Sequence, residues 1–332
     1  MSGKIHVSTH VNRLQFRFPF RIAHGERTGT DVVFVILRFE NLTAFGEATL
    51  PPYLPDTIES TVQFLTLSDI RNLEFPFDPR EISSWLNSKY PGNFPAKAAL
   101  DMALWDLFAQ ISGESIRSVL QITDAKSIPH TYTIGVSNKD EMKVKFDFAA
   151  ANGFDFFKLK LDGKSDRKII EDFTSLSANA FAVDANQAWN KLEDAIELAQ
   201  LIQEYNGVLI EQPFVKTDLD KSRDLTTRLR IPVLADEACQ VPEDIERLAQ
   251  SFSGINIKLQ KCGGISPAIG MISEAREKNL KVLIGCMSES SVGCNAAEVL
   301  TPWCDWADLD GPYLISNNED LKVELNKIAQ SG

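Results

Sequence analysis

From residue 130 onward, short apolar or β-branched runs recur, each closing on polar residues and each followed by a stretch with helical spacing. They read HTYTIGV, FFKLKLDG, AFAVDANQ, GVLIEQP, IPVLADE, GINIKLQ, KVLIGCMSES and WADLDG. Taking Thr133, Lys160, Asp184, Glu211, Asp236, Lys258, Cys286 and Asp308 as markers near the run ends, successive markers lie 22 to 28 residues apart. That is the span of a strand, a helix and two loops. Eight such units in a row predict an α/β fold, a TIM-type (β/α)-barrel whose parallel strands bring their chemistry to their carboxyl ends. A doubly wound sheet also alternates strands and helices, but it gathers polar residues at one or two crossover points. Here nearly every run ends in them.

The first 125 residues follow another pattern. KIHVSTHVNRLQF and DVVFVILRFE read as strands, and AKAALDMALWDLFAQ reads as a helix with Leu100, Leu104, Leu107, Phe108 and Ile111 on one apolar stripe. Strands followed by helices predict a small α+β domain over residues 1–125. The barrel is then expected over 126–311, and the weakly amphipathic tail, about 312–332, is expected to return to the first domain. A chain of 332 residues exceeds a typical single core but accommodates a barrel with a smaller companion.

Charge narrows the partners. A net charge of -12 repels phosphate backbones and anionic membrane surfaces, which leaves small molecules as the expected ligands. No segment approaches the length of a membrane span, and the opening residues lack the apolar core of a signal peptide, so a cytoplasmic location is expected. The five cysteines contain no C-x-x-C pair, which points to buried free thiols rather than a disulfide framework or zinc knuckle.

Candidate chemistry sits at the run ends. Asp184, Glu211 and Asp236 close three consecutive runs and converge on one side of the barrel mouth. Acids that close cannot all stay ionised in a partly dry site without a cation, and an all-oxygen donor set favours Mg²⁺ or Mn²⁺ over zinc. Lys158 and Lys160, two apart on one strand, share the inward face. Each is expected to lower the pKa of the other, making Lys160 a general base and Lys158 its tuner. In a closed eight-stranded barrel the second strand faces the sixth, so Lys160 should oppose Lys258. A carboxylate substrate held between them could lose a proton to one lysine and regain one from the other on the opposite face, inverting its α-carbon. Asp308 and Asp310, expected by their i, i+2 spacing on one face of strand eight across the mouth, suit an ammonium group, and Thr133 at the first strand end is counted with them as substrate-binding.

In this order, the K-x-K of KLKLDG, VDANQAW, IEQP, LADE, NIKLQKCGG and DLDGP, with AKAALDMALWDL before them, resemble the enolase superfamily, specifically its dipeptide epimerases in the muconate-lactonizing-like subgroup. The similarity runs along essentially the whole chain. It implies a modified (β/α)7β barrel under an N-terminal capping domain, one Mg²⁺ per subunit on Asp184, Glu211 and Asp236, acid/base work by Lys160 and Lys258 with Lys158 beside them, and an amino-group site at Asp308 and Asp310. The family also implies a homo-oligomer.

The loop FPFRIAHGERTGTD resembles the capping-domain loop that closes over substrate in that family. Gly25 stands where epimerases of L-Ala-Glu carry an arginine. Arg21, His24 and Gly25 are therefore the loop positions expected to set the second residue of an L,L-dipeptide, with Arg27 nearby as a further cation that could shift in and an apolar residue at least as well suited as Glu. Two further readings stay open. One keeps barrel and metal but runs an elimination or cycloisomerisation, as in o-succinylbenzoate synthase or muconate cycloisomerase; the other is a barrel without catalysis that only binds or scaffolds.

Overall fold

Alternating inward and outward residues in each apolar run build a closed sheet in the computed structural model, which describes residues 3–23, 25–52, 54–67, 73–123 and 127–330. His24 and the expected boundary between residues 125 and 126 lie outside the described residues. Strands one to eight are Thr131–Ile134, Phe156–Lys160, Phe181–Asp184, Gly207–Glu211, Val233–Ala235, Gly254–Lys258, Lys281–Gly285 and Trp306–Asp308. Neighbours in sequence are parallel neighbours in the sheet. A parallel bridge between His130 and Ala307, with Ala307 N donating to Pro129 O at 3.0 Å, joins strand eight to strand one. This is the (β/α) barrel of the sequence reading.

Strand period two then sorts the residues. Phe157, Leu159, Val183, Ile210, Val233, Ile255, Ile257, Val282 and Ile284 belong to the core packed against the helices. Phe156, Ala182, Leu209, Leu234 and Leu283 form a separate apolar cluster inside the barrel. Two residues further along the same inward faces come Lys158, Asp184, Glu211, Asp236 and Gly285. The barrel is thus plugged with hydrocarbon below and charged above.

The capping domain is built on a three-stranded antiparallel sheet, His6–Ile22, Gly25–Phe39 and Leu42–Leu50. The third strand, LTAFGEATL, carries Thr, Gly and Glu and gives no strand signal in the sequence. The helix Phe94–Ser112 is covered on two sides, where a single stripe was expected. Leu100, Leu104 and Leu107 pack with the sheet, whereas Ala98, Met102 and Trp105 join the barrel core. Its backbone comes so near the sheet that a Cβ on Gly46 would lie 1.7 Å from Ala99 O; only glycine permits that approach. The helix Asn318–Gln330 returns to the cap, where Ile315, Leu321 and Leu325 pack with Leu14, Val32 and Phe34. No helix among the described residues is long and apolar enough to cross a membrane.

Asp101, buried on the long cap helix, accepts from Ser266 N at 3.0 Å near the start of the barrel helix Ile265–Glu277. Burial pushes its carboxyl up to about 7, with the Ser266 hydrogen bonds opposing the rise. A raised folded-state value favours the fold while the acid is protonated, and that stability is lost as pH rises through about 7. Asp101→Asn keeps an acceptor for Ser266 without the charge. Its melting temperature is expected to exceed that of the parent protein by a few degrees at about pH 8.5, with the gap narrowing as pH falls below about 7 and closing only near the ordinary carboxyl value of 3.8. A gap independent of pH would refute the buried-charge account.

Candidate active site

Strand register sets the charged residues in rows. Lys160 pairs with Asp184 and Asp184 with Glu211 across strands two, three and four. Lys258 pairs with Gly285 and Gly285 with Asp308 across six, seven and eight. Asp236 follows strand five directly. Lys158, 1% exposed, places Nζ 2.6 Å from Glu211 Oε2, 2.8 Å from Asp308 Oδ2 and 3.5 Å from Asp184 Oδ2. Lys160 Nζ donates to Asp184 Oδ2 at 2.5 Å, and Lys258 Nζ to Asp236 Oδ2 at 2.7 Å. The two lysines therefore stand on opposite strands of the ring, each on a different acid of one triad.

The carboxylate oxygens of Asp184, Glu211 and Asp236 lie within 4.8 Å of one another, and all three residues are buried. Burial pushes Glu211 up to about 8, with Asp184 and Asp236 adding to the rise and Lys158 opposing it. Burial acts the same way on Asp184 and Asp236, yet the lysines outweigh it and hold both below the usual carboxylate range. Three buried acids, one of them driven toward its neutral form, fit a divalent cation bound through oxygen.

Lys158 departs from expectation. Burial alone would lower its pKa, but Asp308, Glu211, Asp184 and Asp236 together raise it well above the ordinary value. It is a fixed cation rather than half of a mutually depressed pair. Two residues that the sequence reading passed over complete the cage. Lys261 donates to Asp236 Oδ1 at 2.6 Å and to the carbonyls of Asp236 and Asn256; Asn256 Nδ2 donates to Glu211 Oε1 at 2.8 Å. Asn256 was legible as the inward neighbour of Lys258 at i−2, whereas Lys261 sits in a short helix, Leu259–Cys262, where strand period carries no signal.

Across the mouth, Asp308 accepts from Thr131 Oγ1 at 2.5 Å and Thr133 Oγ1 at 3.2 Å, and Asp310 accepts from Thr133 N at 2.5 Å. Asp310 is not on strand eight with Asp308, as the spacing suggested; it precedes the short helix Gly311–Leu314. Both acids still meet at Thr133. Burial would raise Asp308, but Lys158 and Lys160 bring it to about 2, while burial and then Asp308 itself push Asp310 up to about 7. Such a pair has room for one more positive charge.

Of these residues, Thr133, Lys160, Asp236, Lys258, Lys261, Asp308 and Asp310 line a cavity of about 360 Å³, within the range for small-molecule sites. The cap contributes Phe20, Ile22, Arg27, Leu54 and Pro55 to its wall, and the barrel adds Gln187, Lys216, Glu237, Gln240, Met287 and Ser288. Of the expected loop residues, Arg21 is committed to Glu26 and Glu141, and neither it nor Gly25, which is exposed at a φ of 145°, lines the cavity. Arg27 does, with its guanidinium 5.5 Å from the Phe16 ring centroid.

Comparison with known proteins gives two family matches. Residues 4–120 match the mandelate racemase / muconate lactonizing enzyme N-terminal domain, and residues 141–305 match the enolase C-terminal domain-like family. The chain is similar to an L-Ala-D/L-Glu epimerase of Bacteroides thetaiotaomicron, 36% identical over 98% of this chain and 85% of that protein. An L-Ala-D/L-amino acid epimerase of Maribacter is 33% identical over 94% of this chain and 91% of its own. Among solved structures, the dipeptide epimerase of Enterococcus faecalis complexed with Mg and the dipeptide L-Leu-L-Tyr superposes with a TM-score of 0.87 at 27% identity, covering 95% of this chain and 92% of that one.

Lys158 generates a direct test. Lys158→Met leaves Glu211, Asp308 and Asp184 short of a counter-charge, a loss worth about 3–5 kcal/mol when one partner of a buried pair is removed. In chelator the variant is expected to melt well below the parent protein, with millimolar Mg²⁺ recovering part of the difference. Equal melting temperatures in chelator would sink the cage as described.

Proposed function

Because the chain belongs to the enolase superfamily, in its mandelate racemase / muconate lactonizing enzyme family, we propose that it is a Mg²⁺-dependent epimerase of L,L-dipeptides that inverts the α-carbon of the second residue. The observation that carries this reading is the pair of lysines, Lys160 and Lys258, hydrogen-bonded to different acids of one triad from opposed strands, with Asp308 and Asp310 at the far end of the same cavity.

Asp184, Glu211 and Asp236 would hold one Mg²⁺ per subunit, which supplies Lewis-acid stabilisation to the substrate carboxylate as the α-proton leaves. One lysine, neutral at that moment, takes the proton from one face of the α-carbon. The other, an ammonium, returns a proton to the opposite face of the enediolate, so inversion and an exchange of the lysines' protonation states occur together. Lys158 stays charged throughout and keeps Asp308 ionised. Asp308 and Asp310, steadied by Thr131 and Thr133, receive the α-ammonium and so fix which carbon lies between the lysines. An elimination or cycloisomerisation would leave that acidic end without a partner. Phe20, Ile22, Leu54 and Pro55 make the cap side of the cavity mainly apolar, with Arg27 the cation the cap adds to it, which supports an apolar second residue at least as well as Glu. Of the loop residues expected from the sequence, Arg27 is better supported as a contact than Arg21 or Gly25.

In this reading a capping domain of residues 1–125, completed by about 312–332, closes the barrel of residues 126–311. The enzyme is further taken to be a cytoplasmic homo-oligomer acting in peptide metabolism. The buried free thiols Cys239, Cys262, Cys286, Cys294 and Cys304 fit a reducing compartment.

Incubation with a library of L,L-dipeptides and Mg²⁺ in D₂O is expected to give L,D products that have gained one deuterium, at least as fast with apolar second residues as with Glu. Lys160→Ala and Lys258→Ala should each lose at least about 10²-fold in epimerisation, each retaining slow exchange from only one configuration. Absence of deuterium uptake with every dipeptide would overturn the reading. Full turnover by Asp310→Asn on a substrate without an amino group would favour the elimination or cycloisomerisation alternative.

A further inference from the structure

Glu237 has no part in the reaction described above, yet it lines the cavity between Asp236 and Asn186. Its Oε1 accepts from Asn186 Nδ2 at 3.2 Å, and the same Nδ2 lies 3.3 Å from Asp184 Oδ2. One amide thus joins Glu237 to an acid of the triad. Asn186 also donates its backbone N–H to Asp184 Oδ1 at 2.8 Å, from a left-handed φ of 43° that is followed by 68° at Gln187. Two consecutive residues in that region are strained, even where asparagine softens the penalty. The turn is held in a shape that brings its amide between the two acids.

The other oxygen of Glu237 is unsatisfied. Oε2 is closed to solvent and accepts no hydrogen bond among the described residues. A buried acceptor without a donor is destabilising, and more so for an acid. Beside it, Asp184 and Asp236 are acceptors, and the Lys261 ammonium donates to Asp236 and to the Asn256 carbonyl. Glu237 is also not one of the acids whose oxygens lie within 4.8 Å of one another. It stands one step outside the triad, with an acceptor waiting for a donor.

We propose that Glu237 is a positioning residue for the divalent cation, a fourth carboxylate that acts through a water the cation brings and, through Asn186, holds Asp184 in its ligating orientation. The proposal rests on the cation reading above and not on the dipeptide. Acids placed one step behind metal ligands typically govern metal affinity by about 10- to 100-fold, and here the acid stands outside the ligand sphere it would support.

The test measures the cation without any dipeptide. Mn²⁺ binding by electron paramagnetic resonance and Mg²⁺ binding by calorimetry are compared for the parent protein and Glu237→Gln, which keeps size and an acceptor for Asn186. The variant is expected to bind both ions about 10- to 100-fold more weakly, while its melting temperature in chelator stays equal to or above that of the parent protein, because an unpartnered buried acid has been removed. Glu237→Asp serves as the second variant, expected to fall between the two in affinity. Mn²⁺ affinity within twofold of the parent protein would overturn the proposal, as would a loss of stability in chelator that accounts for the weaker binding. Normal Mn²⁺ affinity with weakened dipeptide binding would give Glu237 to the substrate instead, which also overturns it. Failure of the parent protein itself to bind Mn²⁺ or Mg²⁺ would strike the cation reading beneath both conclusions.

Discussion

Compensation of buried charge inside one barrel mouth is the constraint on which the other features depend. Asp184, Glu211, Asp236 and Asp308 share a space closed below by Phe156, Ala182, Leu209, Leu234 and Leu283. Acids this close in a dry site are tolerated only with nearby cations. Lys158, Lys160, Lys258 and Lys261 supply them, from strands two and six and the turn after six. These lysines meet the acids in three ways: Lys158 bridges three of them, Lys160 and Lys258 each donate to a different acid of the triad, and Lys261 ties Asp236 to the backbone. The two that are candidates for proton transfer both line the cavity, whereas Lys158, which bridges three acids, does not. A base must be able to let go of its partner, whereas a structural cation must not.

The cap is fastened by a second buried acid cluster. Glu47, on the cap strand Leu42–Leu50, accepts from Ser290 N, Ser290 Oγ and Gly293 N at 2.6 to 3.0 Å. Gln260 donates to Glu47 O and Glu289 and accepts from Thr49 N, and Glu289 in turn accepts from Met287 N. Gln260 is two residues past Lys258, and Met287 and Ser288 line the cavity. Cap position, the turn behind one lysine and the wall near Asp310 are thus set by one network. Its members lie hundreds of residues apart in sequence, and its energetic weight comes from burial, where an unmet hydrogen bond costs more than a made one gains.

That distinction also decides what was legible in the sequence. The barrel was readable because parallel strands buried on both faces are apolar except at their ends, so Lys160, Asp184, Glu211 and Lys258 stand out against Val, Ile and Leu. Strand period placed Lys158 on the same inward face, but not the number of acids it would meet, because those come from strands three, four and eight. Asp310 looked like a strand residue by its i+2 spacing from Asp308, and the chain turns before it. Leu42–Leu50 was missed because it mixes Gly46 and Glu47 into a strand whose polar residues serve the cap interface instead of solvent. Arg21 sits on the expected capping loop, yet a hairpin residue's side depends on register, and this register turns it toward Glu26 and Glu141.

The K-x-K pair shows most clearly what tertiary context adds. Two lysines at i and i+2 on one face repel each other, and in isolation that repulsion lowers both pKa values. Once the barrel closes, Lys158 faces four carboxylates, and their field outweighs its burial. Lys158 therefore cannot ease proton loss from Lys160 by titrating itself. It acts instead as a permanent charge that also bears on the far end of the site: with Lys158 paired to it, Asp308 stays ionised to about 2, and burial, with that fixed negative charge adding to it, pushes Asp310 up to about 7. Near neutral pH the second acid then waits on an arriving cation to complete its ionisation. In the proposed reaction, a substrate ammonium that reaches Asp310 gains an ion pair that a neutral group cannot, so one buried lysine on strand two would link the proton-transfer end of the cavity to selection at the amino end.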